Sequence, residues 1–229
     1  MFTYPIGLLN NKSGVLPPPA VISDGNSVAW YIADDLSTIT KDVSDFVSVW
    51  ADKLGSGNDL LESTNKPKWF LDDGILFDGV NDVMKTGAFT FNQPEQIYIV
   101  FKQVTWTSNL YIFDGNTLLK GALRQTAGTN QIVAYAGSNS GGQTLALDTY
   151  AIVRILFNGA SSEIILNEDT PVTGNFGANN MGGFTLGALG NGTQGYTNIQ
   201  VKEIILRKIA DSSGDETDIY DYLKSKYSL

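Results

Sequence analysis

Carboxylates are the side chains of this sequence that could do acid–base chemistry, because it contains 24 Asp and Glu but no His and no Cys. Hydrolysis of a glycosidic bond with retention needs two carboxyl groups about 5–5.5 Å apart, which acidic residues at alternating strand positions would supply on one face. Glu163 is followed at those positions by Ile165 and Asn167, and Glu203 also lacks such acidic partners. We therefore predict no enzyme, no catalytic residues and no hydrolysis of β-glucans, alginate or chitin. A carboxylate pair assembled from distant strands stays open.

The absence of His and Cys excludes other kinds of site. Disulfides need two cysteines, and thiolate or imidazole zinc sites need Cys or His. A Ser-His-Asp or Cys-His nucleophile is excluded for the same reason.

Aromatic residues beside polar loops could bind sugars, because aromatic rings pack on sugar faces while amide groups hydrogen bond to hydroxyls. Trp106 and Tyr111 flank a polar strand end, and Tyr135 precedes the polar loop 138–142, which contains Asn139. We predict a carbohydrate-binding site formed by Trp106, Tyr111, Tyr135 and Asn139. The alternative is that these aromatics fill the core or a subunit interface, as we expect of Trp50.

Acidic and amide side chains cluster at turns and could bind calcium, which takes six to eight oxygen ligands. The residues with suitable groups are Asp52, Asn58, Asp59, Asp78, Asn81 and Asp82. The same residue types are favoured in turns because their side chains bond to nearby backbone amides. No cofactor is predicted, Ca²⁺ stays open, and no metal ligands are assigned.

The elements that must position these residues are mainly strands. The 24 Gly, against 7 Pro, indicate frequent turns and an all-β fold. Residues 97–104 predict a central strand, and residues 196–206 a long strand with a β-bulge near Lys202 and Glu203. At the C-terminus, Ser213 and Glu216 fit a capping box. A helical stripe follows it, formed by Ile219, Tyr222, Leu223 and Tyr227.

Two strand-and-turn segments, VSVWADKLGSGNDLL at 47–61 and LFDGVND at 76–82, resemble laminin-G-like, concanavalin A-like lectin-glucanase domains. The segments 29–38, 152–172, 183–187 and 196–206 follow in the order typical of that family. One departure is Glu168, which follows Asn167 where the family usually has Gly. The resemblance implies a two-sheet antiparallel jelly-roll sandwich with a C-terminal α-helix over residues 28–229.

Residues 1–27 lack periodicity, and Pro17, Pro18 and Pro19 favour polyproline II structure there. We interpret this segment as an extended arm or linker, which is either a disordered leader or an arm that docks on a neighbouring subunit.

The charge and the resemblance together predict the partners of the protein and its location. A formal net charge of −9 argues against nucleic acid as a partner, and no apolar run is long enough to span a membrane. Domains of this family occur in bacteriophage structural proteins and bacterial surface proteins, and the sequence shows no secretory signal. The resemblance therefore implies a non-enzymatic virion protein, made in the host cytoplasm, that decorates a capsid or forms part of a tail, fibre or neck. Its expected partners are other virion proteins, a surface glycan and further copies of itself. The alternative is a carbohydrate-binding module for adhesion to host or surface glycans.

Overall fold

The computed structural model describes residues 14–126 and 128–229, which form two antiparallel β-sheets packed face to face. This arrangement confirms the predicted sandwich. Its strands, in chain order, are β1 (Ser27–Ile32), β2 (Ile39–Lys41), β3 (Val47–Trp50), β4 (Leu60–Leu61), β5 (Lys68–Phe70), β6 (Gly74–Asp78), β7 (Met84–Lys85), β8 (Glu95–Gln103), β9 (Tyr111–Asp114), β10 (Ala122–Gln125), β11 (Gln131–Tyr135), β12 (Gln143–Thr144), β13 (Ala151–Phe157), β14 (Ser162–Leu166), β15 (Val172–Gly174), β16 (Thr185–Leu186) and β17 (Asn198–Arg207).

The first sheet has the strand order β15-β14-β13-β8-β17-β6-β5, and β1 also pairs with β17. The second sheet has the order β12-β11-β10-β9-β16-β7-β4-β3-β2. The helix α1 (Ser213–Tyr227) follows the last strand, and short 3₁₀ helices occupy Ala20–Ser23, Leu36–Thr38 and Gly159–Ser161. In the described part of the chain, no helix combines the length and the apolar character needed to cross a membrane.

Strand β8 confirms the predicted central strand, because it is covered on both faces. Ile97, Ile99 and Phe101 point into the core between the sheets. Tyr98 and Val100 alternate with them and join a second apolar cluster under α1. The near-continuous apolar run of this strand therefore follows from its position between the other sheet and the helix.

The predicted β-bulge in β17 is also confirmed. The pairing of β17 with β8 shifts register between Val201 and Glu203. The shift returns Ile204 and Leu206 to the core that already holds Val201. Because the bulge absorbs one residue, both halves of a strand whose alternation changes parity can bury their apolar side chains.

The helix α1 packs its predicted stripe on the first sheet: Ile219, Tyr222 and Leu223 are buried. The predicted capping box is wrong by one residue. Ser212 is the N-cap, because its backbone is extended and its Oγ accepts from the Asp215 amide at 3.2 Å. Glu216 instead accepts a hydrogen bond from Arg154 Nη1 at 3.1 Å.

We expect Leu223→Ala to lower the free energy of unfolding by about 2–5 kcal/mol, because the substitution leaves a cavity between the helix and the sheet. Leu223 is only 1% exposed. Urea denaturation monitored by circular dichroism measures the change, with Asp221→Ala on the exposed side of the helix as the control, expected within about 0.5 kcal/mol. Equal effects of the two substitutions would contradict the packing.

Part of the predicted arm packs on the domain. Ile22 is fully buried in the cluster under α1, and Arg207 Nη1 donates to the Val21 carbonyl. Ser225 Oγ on α1 accepts from the Leu16 amide at 2.9 Å and donates to the Gly14 carbonyl. These contacts hold residues 14–27 against the sandwich. Residues 1–13, the rest of that arm, lie outside the described residues.

Candidate functional site

The two sheets differ in what lies on their outer sides. The helix α1 and the 3₁₀ helix Ala20–Ser23 pack on the first sheet. The second sheet instead carries a small apolar cluster on its outer side, formed by Tyr111, Ala122 and Leu189 with Leu119 and Tyr135 packed against it. Strands β9, β10 and β11 and the loops at their ends therefore present a distinct surface.

Arg124 lies at the centre of this surface. On β10, Ala122 and Arg124 alternate with Leu123, which lies in the core, so Arg124 points outward. Its guanidinium carbon lies 5.5 Å from the centroid of the Tyr135 ring, and Nη2 donates to Asn139 Oδ1 at 2.8 Å. The cross-strand partners of Arg124 are Tyr111 on β9 and Val133 on β11. We call Tyr111, Arg124, Tyr135 and Asn139 the Arg124 face.

The structure brings three of the four predicted sugar-binding residues together in the Arg124 face. Tyr135 is half-buried and Asn139 is exposed. Tyr111 is only 8% exposed and packs against Leu189, so its ring supports the face from below. Trp106 is apart from them, since its Nε1 donates to the Gln131 carbonyl at 3.3 Å, roughly 13 Å along β11 from Tyr135.

Arg124 was not predicted from the sequence, although its position directly after Leu123 in an alternating pattern carried a signal. An arginine on the solvent side of a strand is common, and only the pairing of β10 with β11 shows that this one lies over a tyrosine ring. Strand β10 starts at Ala122, and Leu119 before it has a φ of +58°.

Asp114 explains why residues 115–121 form a loop rather than a strand. Its fully buried carboxylate accepts hydrogen bonds from four backbone amides, at 2.8 Å from Gly115, 2.7 Å from Leu119, 2.9 Å from Lys120 and 3.0 Å from Gly190. Burial raises the pKa of this carboxyl, and the four amide hydrogen bonds oppose that rise. One side chain therefore fixes the shape of two loops that contribute Leu119 and Leu189 to the apolar cluster beside Arg124.

The acidic residue Glu203 has a structural position under the helix. Its buried carboxylate accepts from Trp30 Nε1 at 2.7 Å, Tyr222 Oη at 3.0 Å, Lys226 Nζ at 2.7 Å and Tyr227 Oη at 2.6 Å. The network ties α1 to the first sheet. A polar cavity of about 200 Å³ lies beside it and is lined by residues including Asp34, Asp72, Lys202, Lys226 and Tyr227.

The turn carboxylates considered for calcium are bonded to the backbone where the structure describes them. Asp52 accepts from the amides of Trp30 at 2.8 Å and Ser56 at 2.8 Å, and Asp78 accepts from the Val80 amide at 2.8 Å. Within residues 14–126 and 128–229, no group of three or more acidic, His or Cys residues is placed to hold a metal ion.

No protein-family model matches the sequence, and no curated protein matches it. Solved structures do share the fold. Trypanosoma rangeli sialidase in complex with sialic acid is 12% identical with a TM-score of 0.66, over 92% of this chain and 36% of the sialidase. An arabinofuranosidase complexed with arabinofuranosyl-alpha-1,2-xylobiose is 12% identical with a TM-score of 0.68, over 92% of this chain and 65% of the enzyme. A GH54 α-L-arabinofuranosidase soaked with a cyclic sulfate inhibitor is 13% identical with a TM-score of 0.63, over 79% of this chain and 51% of the enzyme.

These likenesses show the fold, and this chain spans about a third of the sialidase's length. They overturn two expectations from the sequence. The first is the role as a non-enzymatic bacteriophage virion protein, with an adhesion module as its alternative. The second is that the chain is not an enzyme. The solved structures described above are glycoside hydrolases, not phage structural proteins. The strand-and-turn motifs predict the sandwich fold, but they do not indicate whether the protein belongs to a virion. A carboxylate pair can also come from two distant strands, so the lack of alternating acidic residues on single strands does not exclude enzymatic function.

Proposed function

We propose that this chain is a carbohydrate-recognising sandwich domain that acts in carbohydrate processing. The observation that carries the proposal is the Arg124 face, where guanidinium, amide and phenol groups are gathered on one sheet surface. The fold shared with a sialidase and two arabinofuranosidases supports carbohydrate as the ligand class. Fold alone does not assign function, so the proposal depends on the chemistry of this face.

The groups of the Arg124 face suit a sugar ring. Sugars offer hydroxyls that accept hydrogen bonds and also donate them. Arg124 supplies donors, and the Asn139 amide and the Tyr135 hydroxyl supply donors and acceptors. The planar guanidinium lying over the Tyr135 ring is a flat surface on which a sugar ring can pack. The contacts with Tyr135 and Asn139 hold Arg124 before a ligand arrives, which reduces the conformational entropy lost on binding.

Two substitutions test the role of the face in glycan binding. We expect the purified chain to bind a defined glycan on an array that includes sialylated and arabinoxylan oligosaccharides. Tyr135→Ala and Asn139→Ala should each weaken that binding by at least tenfold in isothermal titration calorimetry. Release of sugar from each bound glycan should be measured in the same samples, because it would report a processing step directly.

The matched control is Phe70→Ala, which removes an aromatic ring that is 38% exposed on the first sheet. It should leave glycan binding unchanged. Thermal unfolding of all variants separates a lost contact from a lost fold. Binding that survives both substitutions in the Arg124 face, or the absence of any bound glycan, would contradict the proposal.

A further inference from the structure

We propose that the glycan recognised by the Arg124 face is acidic, and that a sugar carboxylate pairs with the Arg124 guanidinium. This inference rests on the function proposed above and adds the chemical class of the ligand. The sequence contains three arginines, and they differ in whether a carboxylate of the protein lies beside them.

Two of these arginines are bound by carboxylates of the protein. Arg207 lies 2.8 Å from Asp211 and 3.1 Å from Asp24, and Arg154 lies 3.1 Å from Glu216. Arg124 has no acidic partner within the described residues. The residues outside that range, 1–13 and 127, include no Asp or Glu. In a chain with 24 acidic and 15 basic residues, an arginine without a carboxylate partner stands out.

The neighbours of Arg124 are neutral and hold it in one place. Tyr135 lies under the guanidinium, and Asn139 accepts one hydrogen from Nη2. The buried carboxylate that shapes the supporting loops, Asp114, already accepts hydrogen bonds from four backbone amides. No carboxylate of the described residues therefore pairs with the positive charge of the face.

The hydrogen-bonding capacity that remains on Arg124 matches a carboxylate. Nη1 and the second hydrogen of Nη2 have no hydrogen-bond partner in the described residues, whereas Nε is buried and is not available to a ligand. Two parallel N–H groups on a planar guanidinium form the fork that binds both oxygens of one carboxylate. A hydroxyl offers a single oxygen without charge, so a neutral sugar would use this fork less fully.

Two pairs, each of an acidic and a neutral glycan, test the inference. We expect the wild-type chain to bind oligogalacturonate at least tenfold more tightly than its methyl ester, and sialyllactose at least tenfold more tightly than lactose. Arg124→Gln should bring both ratios close to one. Arg124→Lys should restore only part of the preference, because lysine keeps the charge without the planar fork. The preference should also shrink with added salt.

The control is Lys208→Gln, which removes one positive charge from an exposed lysine just after β17. It should leave both ratios unchanged. Equal binding of acidic and neutral glycans by the wild type would overturn this inference while leaving the proposed function standing. A preference that survives Arg124→Gln would also overturn it. Binding of none of these four glycans or any glycan on the array would overturn the proposed function itself.

Discussion

Arg207→Leu is expected to lower the free energy of unfolding by about 3–5 kcal/mol, because it leaves a buried charge without its partner. The side chains of Arg207 and Asp211 are each only 1% exposed. Arg207 Nη1 also donates to the Val21 carbonyl and to Ser27 Oγ, which attaches the segment before β1 to the sheet. Burial alone would raise the pKa of Asp24, but hydrogen bonds from Arg207 and Asn26 outweigh it and lower that pKa to about 2.

Urea denaturation at neutral pH measures the lost free energy of unfolding. Two further variants show whether the loss comes from the unpaired charge. Arg207→Leu combined with Asp211→Leu should recover part of the stability, because replacing both partners removes the uncompensated charge. Lys208→Leu, at the neighbouring exposed position, should change stability by less than about 0.5 kcal/mol. A loss below about 1 kcal/mol for Arg207→Leu would show that the ion pair does not hold the segment.

The second large effect concerns pH, and we expect stability to fall as pH rises from about 4.5 to about 8. Burial raises the pKa of Glu95 from its ordinary 4.5 to about 8, while the Met181 amide, donating to Oε1 at 2.7 Å, opposes that rise. The other oxygen, Oε2, is buried without a partner. The folded state therefore keeps its proton over a range in which the unfolded state loses it, and stability decreases with pH. The full difference corresponds to roughly 4–5 kcal/mol at 1.36 kcal/mol per pKa unit.

Glu95→Gln should remove the part of this dependence that comes from Glu95, because glutamine keeps an acceptor for the Met181 amide and does not titrate. Asp82, whose pKa is raised by burial to about 6, keeps its own contribution. The variant carries a constant cost from its buried amide hydrogens, so the slope of stability between pH 5 and 8 is the informative quantity. Glu168→Gln is the control: Glu168 is exposed, and its hydrogen bond from Lys224 lowers its pKa, which places its titration below this pH range. Parallel curves for the wild type and Glu95→Gln would show that Glu95 is ionised when folded.

The sequence predicted those strands and helices whose residue pattern lies within a single element. The apolar runs of β8 and β17 and the stripe of α1 could be recognised because each is set by spacing within one element. The N-cap was missed by one residue because Ser212 and Ser213 both have the required hydroxyl, and the extended backbone at Ser212 decides between them.

The candidate site was only partly predictable, since it depends on contacts between elements. Tyr111, Tyr135 and Asn139 were found from residue type beside polar loops. Arg124 could not be found that way, because its importance comes from the register of β10 against β11 and from the absence of an acidic neighbour. Asp followed by Gly is typical of a tight hairpin turn, but after Asp114 the structure has a longer loop, because the carboxylate turns inward to four amides.

The hydrogen bonds to Asp114 fix the shape of two surface loops without fixing the side chains that those loops carry. Every donor to the carboxylate is a backbone amide, which any residue except proline supplies. Positions 116–118, 191, 193 and 194 of these loops can therefore be diversified in a library without removing the hydrogen bonds to Asp114. Three glycines should be kept. A Cβ would lie 2.6 Å from the Met181 carbonyl oxygen at Gly115 and 2.3 Å from the Thr117 carbonyl oxygen at Gly190, and Gly192 has a φ of +70°. Substitutions beside Arg124 can thus exchange surface side chains while the backbone of these loops keeps its shape.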